Sequence, residues 1–172
     1  MQDSNVKSDV IWIWLSQRGR PVNRIVQELL HFFGTAEAVW QADCKSALPD
    51  AVLKNRELTS RLLDPGRREQ AMQIYERATA DGGKILHLGK NTYPALLRQI
   101  YAPPVVLYCY GTLPPKDIPL LAMVGSRSCT YYGRSTVYQL ACELAYCGIG
   151  IVSGLAKGID ARAHEGAIAG GG

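Results

Sequence analysis

Between Leu120 and Ala169 one pattern occurs twice: a short unbroken apolar run that stops at glycine, followed by a stretch with helical spacing. Leu120 to Val124 runs into Gly125, and Val137, Leu140, Ala141 and Leu144 then stripe one face of a helix expected over Gly133 to Cys147. Ile149 to Val152 is the second run, stopped by Ser153-Gly154, and a final helix is expected over Ile159 to Ala169. A strand that is apolar on both faces has to be covered on both, as in a parallel sheet wrapped by helices. Strand, helix, strand, helix in this register implies the crossovers of an open α/β sheet. The fold class is therefore α/β, with a Rossmann-like parallel sheet.

The stretch just upstream extends the alternation. Ile85 to Leu88 reads as a short strand and Tyr93 to Ile100 as a short helix. Val105 to Tyr110 is rich in β-branched and aromatic residues and ends at Gly111, as a strand should. The character changes at Asp81-Gly82-Gly83, before which the pattern is helical. Pro21 can open a helix, since a first-turn proline loses no hydrogen bond. Val22, Ile25, Val26, Leu29, Leu30 and Phe33 recur on one face, and Gly34 is a natural stop. Thr35 can cap a short helix through Trp40. Leu48 to Leu63 reads as one or two more helices, and Gly66 to Ala80 as another, with Ala71, Ile74, Tyr75 and Ala78 on one face. Two domains follow: a small all-helical module at 1–80 and a Rossmann-like domain at 81–172.

Composition narrows the function classes. Of 172 residues, 47% are apolar and 20% charged, which suits a globular protein rather than a disordered one. Val10 to Leu15 is the longest early apolar run, far too short to cross a bilayer. Ser16-Gln17-Arg18 follows it without a small-residue cleavage site, so a cytoplasmic, membrane-free protein is expected. The cysteines, Cys44, Cys109, Cys129, Cys142 and Cys147, form no Cys-x-x-Cys pair and read as reduced thiols, with no metal site and no cofactor. A net charge of +4 is compatible with a polyanionic partner without requiring one.

The candidate chemistry sits in the two glycine turns. Gly125-Ser126-Arg127 and Ser153-Gly154-Leu155-Ala156-Lys157-Gly158 each join a strand to a helix. At the carboxyl ends of adjacent parallel strands both would face one crevice, where open α/β sheets bind ligands. Turn amides and helix amino ends favour phosphate, and glycine lets the backbone come close. Arg127 and Lys157 add full positive charge. Neither turn has the G-x-G-x-x-G dinucleotide pattern or a Walker loop. No catalytic residue is assigned. Ser126 and Ser153 lack a nucleophile-elbow context, His164 has no visible partner, and Asp160 is read as a helix cap or as a hydrogen-bond partner of the Ser153 loop. Tyr131 and Tyr132, beside the first turn, could stack on bases, whereas Tyr108 reads as a core strand residue and Tyr93 as packing. His31 and His87 look incidental. Arg18, Arg20 and Arg24, and Arg61, Arg67 and Arg68, form either a solvated basic face or extra phosphate contacts, and Trp12, Trp14 and Trp40 a small core.

A family resemblance is carried by a run of motifs in order. They are Tyr93-Pro94 with Leu96-Leu97, Pro103-Pro104-Val105-Val106-Leu107-Tyr108, Gly111, Val124-Gly125-Ser126-Arg127, Tyr132-Gly133, Ser153-Gly154-Leu155-Ala156-x-Gly158-Ile159-Asp160, Ala163-His164 and Gly166-Ala167. In that order and spacing the chain resembles the DprA/Smf family of DNA-processing proteins over about residues 84–172. The helical front fits the SAM-like or helix-hairpin-helix module that the family often carries. The resemblance implies a non-enzymatic protein that binds single-stranded DNA, acts in natural transformation and loads a RecA-type recombinase. It places Gly125, Ser126 and Arg127 on the DNA backbone and Ser153, Gly154, Lys157 and Gly158 along the adjoining wall. The family pattern continues past Gly172, so the chain is expected to be a truncated front half, which leaves homodimerisation in doubt. Two rivals stand beside this reading. One is a nucleotide-binding, phosphoribohydrolase-like enzyme of related fold, although its Pro-Gly-Gly-x-Gly-Thr-x-x-Glu string is missing here. The other is an inactive remnant.

Overall fold

The computed structural model describes residues 2–17, 22–42, 48, 53–54, 59–60 and 64–172. They fall into two compact units, Met1–Thr112 and Leu113–Gly172.

The first unit is built around α1 (Gln2–Ser16). Six consecutive residues, Val10, Ile11, Trp12, Ile13, Trp14 and Leu15, are all buried. A helix buried at every position of a turn is enclosed on all sides, so it carries no amphipathic stripe for a sequence to display. Around it lie α2 (Val22–Phe33), α3 (Ala36–Gln41) and α4 (Gly66–Ala80). Gly34, at φ +80°, ends α2 with its N–H on Leu30 O at 2.8 Å. Thr35 caps α3 by accepting from Ala38 N at 3.1 Å. Along α4, Ala71 is buried, and Ile74, Tyr75 and Ala78 pack on the same core. Pro21 and most of 48–63, expected to open and to form helices, lie outside the described residues, as does Cys44.

The same unit contains β1 (Lys84–His87), the short α5 (Ala95–Arg98) and β2 (Val106–Cys109). These strands pair antiparallel, Lys84 opposite Cys109 and His87 opposite Val106, and form a sheet of their own. The sequence pattern had placed them in the parallel sheet. Ile85 and Val105 instead join the core around α1, which draws the pair onto the helices. The compact units divide after Thr112.

In the second unit β3 (Leu120–Ala122) and β4 (Gly150–Val152) pair parallel, Leu120 beside Gly150 and Ala122 beside Val152. Met123 N–H continues the ladder to Val152 O at 2.9 Å. Helix α6 (Tyr131–Tyr146) joins the strands, and α7 (Ile159–Ala169) follows β4. Met123, Ala141 and Ala163 form the core, with Val137, Leu144 and Ile151 packed against it. The two helices meet along a seam of small residues, including Ala141, Ala145, Ala163, Gly166 and Ala167. A Cβ added at Gly166 would run into the Tyr138 carbonyl. β3 is not buried on both faces, as its apolar run suggests, because Leu120 and Leu121 remain 48% and 42% exposed. Among the described residues α6 and α7 supply the cover of this small sheet, and no second layer does so.

Candidate functional site

Parallel pairing of β3 with β4 sets their carboxyl ends side by side, and both glycine turns leave from that edge. The turns then pack backbone against backbone. Ile159 N–H donates to Ser126 O at 3.2 Å. Gly158 has φ +89°, and a Cβ there would sit 2.7 Å from Arg127 O, so only glycine meets both the conformation and the approach. At Gly125 a Cβ would fall 2.7 Å from the Ile159 side chain.

A carboxylate locks the arrangement. Asp160, 6% exposed at the start of α7, accepts from Gly125 N–H through Oδ1 at 3.2 Å. A methyl group at Gly154 would sit 3.1 Å from its Oδ2. One side chain thus bonds the first turn and crowds the space a side chain would take on the second. Asp160 had been expected to cap its own helix or to serve the Ser153 loop; its hydrogen bond goes to the other turn. Ser153 is a second staple, its hydroxyl donating to Met123 O at 2.6 Å. Ser126 Oγ donates to Ser128 O at 2.8 Å and accepts from Ser128 N at 3.2 Å, which shapes the first turn before Thr130 caps α6 by accepting from Gly133 N.

The polar groups left facing solvent are the ones an anion would need. Arg127 and Lys157 are exposed, and neither forms an ion pair among the described residues. No protein group among the described residues takes the N–H of Ser126, Arg127, Gly154 or Leu155. Gly125 N–H, by contrast, is occupied by Asp160. Of the seven residues read from the sequence, Arg127, Lys157, Ser126 and Gly154 offer exposed donors, while Gly125, Ser153 and Gly158 build the frame that holds them.

Tyr131 and Tyr132 are 88% and 77% exposed at the start of α6. Between α6 and β3 runs an apolar groove of about 360 Å³, lined among others by Met123, Val124, Tyr132, Val137 and Ile159. Leu155, in the second turn, has φ +54°, which the sequence did not reveal. His164 is half-buried on α7.

Residues of the first unit differ more from expectation. His87 is not incidental: it is 2% exposed, stacked on Trp12 at 4.8 Å, and its Nε2 lies 3.3 Å from Asp9 Oδ1. Gly89 N–H donates to His87 Nδ1 at 3.1 Å, so Nε2 carries the proton that faces Asp9. Lys90 Nζ reaches the same carboxylate oxygen at 2.6 Å. Burial pushes the Asp9 carboxyl up, but hydrogen bonding to His87 and Lys90 and the Lys90 charge outweigh it and hold the group below its ordinary range. Arg68 lies over the Trp40 ring at 4.5 Å and donates to Trp40 O, and Arg67 reaches Gln17 O at 3.4 Å, so these two arginines brace the helices. Arg18, Arg20, Arg61 and the side chain of Arg24 lie outside the described residues. Tyr93 is buried, as expected, whereas Tyr108 is 47% exposed and not a core residue.

A family profile described as DNA recombination-mediator protein A matches residues 84–172. The DNA processing protein DprA of Bacillus subtilis is 33% identical over 141 residues, covering 75% of this chain and 46% of that protein. Protein Smf of Borreliella burgdorferi is 38% identical over 85 residues, 49% of this chain and 27% of its own length. DprA of Streptococcus pneumoniae is 44% identical over 82 residues, 48% of this chain and 29% of that protein. The X-ray structure of DNA processing protein A (DprA) from Streptococcus pneumoniae superposes with a TM-score of 0.62 at 25% identity, covering 94% of this chain and 53% of that one. The chain thus spans between about a quarter and a half of the length of these curated relatives. Among the described residues no helix is long and apolar enough to cross a membrane.

Proposed function

The chain belongs to the DNA recombination-mediator protein A family, and we propose that its second unit holds single-stranded DNA by the phosphate backbone, without reading sequence. The observation that carries this is the pair of exposed cations, Arg127 and Lys157, on two glycine turns clamped together by Asp160. Backbone amides next to free guanidinium and ammonium groups suit a phosphate chain of any sequence. Tyr131 and Tyr132 stand beside the first turn as stacking surfaces, worth about 1–3 kcal/mol for each base engaged.

The role this implies is non-enzymatic: DNA handling in natural transformation and recombination, in the cytoplasm, with delivery of the strand to a RecA-type recombinase and self-association as further parts of the reading. The Asp160 carboxylate, buried and hydrogen-bonded to the Gly125 amide, is read as part of the frame that holds the two turns. The helical front of the first unit is read as the SAM-like module.

Fluorescence anisotropy of labelled oligo-dT tests the proposal. Two phosphate contacts on a single strand give a slope of log affinity against log salt near about −1.4, and Arg127→Ala should reduce its magnitude by about 0.7. Binding that ignores salt, or an Arg127→Ala variant that binds as well as the unaltered chain, sinks it.

A further inference from the structure

His87 is 2% exposed, and both of its ring nitrogens are engaged. Nε2–H points at Asp9 Oδ1 on α1, 3.3 Å away, and Nδ1 accepts from Gly89 N–H at 3.1 Å. A neutral imidazole supplies one donor and one acceptor, and these two contacts use one of each. A second proton has only Nδ1 to take, which then becomes a donor facing another donor. The backbone at Gly89 is held close to the rings. Trp12 stacks on His87 at 4.8 Å, and a Cβ added at Gly89 would fall 2.8 Å from the Trp12 ring and 3.1 Å from His87 Cε1. The charged groups beside the imidazole are Asp9, from α1, and Lys90, from the turn after β1, while β2 sets Val106 opposite it. Lys90 Nζ already holds the same Asp9 oxygen at 2.6 Å, so an imidazolium would share that one carboxylate with the ammonium.

The turn after β1 is also a junction. Lys90 N–H donates to His87 O at 2.9 Å, and Tyr93 N–H donates to Lys90 O at 3.1 Å. Arg98, on α5, donates to Leu88 O and to Lys90 O. What displaces Gly89 and Lys90 therefore reaches α5. We infer that the turn at Gly89 and Lys90 is a proton-operated latch: it is closed while His87 is neutral, opens when His87 takes a second proton, and releases Arg98 as it opens. Gly89 is exposed, so its N–H finds water once the turn moves, and the core around α1 need not come apart. The latch is independent of what the second unit binds.

Residue-resolved NMR of the full chain tests this from about pH 8 to about pH 5, with the His87 ring C–H signals reporting its proton and amide hydrogen exchange reporting the turn. Gly89 protection, corrected for the intrinsic pH dependence of exchange, should fall roughly tenfold in step with His87 protonation. Leu88 N–H, held by Val105 O at 3.1 Å, should keep its protection, which marks the opening as local. His87→Gln, which takes no proton in this range, should show constant Gly89 protection. Protonation of His87 with Gly89 still protected overturns the latch, as does a His87 that stays neutral throughout. Loss of Leu88 protection at the same pH also overturns it, because the unit is then unfolding. A folded His87→Gln chain that still loses Gly89 protection on acidification does the same. If that variant does not fold, the comparison of Gly89 with Leu88 in the unaltered chain decides alone.

Discussion

A carboxylate buried beside a surface proposed to take anions works against that surface unless it is needed to build it. Asp160 is needed, because from the helix after the second turn it accepts from Gly125 N–H on the first, and its other oxygen leaves no free room for a side chain at Gly154. Asp160→Ala should destabilise the second unit by about 1–2 kcal/mol in a denaturant melt and weaken oligo-dT binding along with it. Asp160→Asn keeps an acceptor for Gly125 N–H and should recover most of both losses; failure to recover would assign the role to charge alone. The sequence made Arg127 and Lys157 legible, since a cation beside a glycine turn is a local pattern. It did not disclose that the Asp160 hydrogen bond crosses 35 residues to the other turn, nor that Leu155 is left-handed. Such facts are set by how two turns pack, and no spacing rule encodes that. His87 was misread for the same reason, because its partner Asp9 lies 78 positions away in the chain.

Elements were read best where their ends are marked by glycine or by a capping hydroxyl. Gly34 and Thr35 bracket α2 and α3 as expected, and α4 and α7 match their expected limits at both ends. Pairing was read less well. β1 is buried at three consecutive positions, a pattern that also describes a strand inside a parallel sheet, and only the core around α1 decides that it pairs antiparallel with β2. α1 itself escaped notice as the centre of a unit, because Val10 to Leu15 is apolar all round and gives no period. Between α6 and α7 the contact depends on the absence of side-chain volume. Gly166→Val should cost about 3 kcal/mol, read as a lower urea midpoint, because the added carbons meet the Tyr138 carbonyl with no room to move. A variant of unchanged stability would mean the helices can separate freely. Since α7 begins directly after Lys157 and Gly158, DNA affinity should fall in the same variant.

On the scale of the molecule, two cores in two compact units can respond differently to solution conditions. All three tryptophans, Trp12, Trp14 and Trp40, belong to the first unit, so their fluorescence follows that unit alone. The Asp9 carboxyl, held below its ordinary value of 3.8, stabilises the first unit at every pH above that value. As pH falls below about 4 and on through the lowered folded value, the contribution is lost. The urea midpoint of tryptophan fluorescence should therefore drop on acidification, and Asp9→Asn should flatten that fall. At neutral pH the same variant should cost about 2–3 kcal/mol, since Lys90 and His87 lose their partner. In the second unit Asp160, on the helix that follows the second turn, bonds the backbone of the first, so the two turns are tied together. If the second unit holds a strand as proposed, the two turns are already placed before it arrives, and only the strand itself has to become ordered. The entropy of placing the turns would then be lost when the chain folds and not at the encounter.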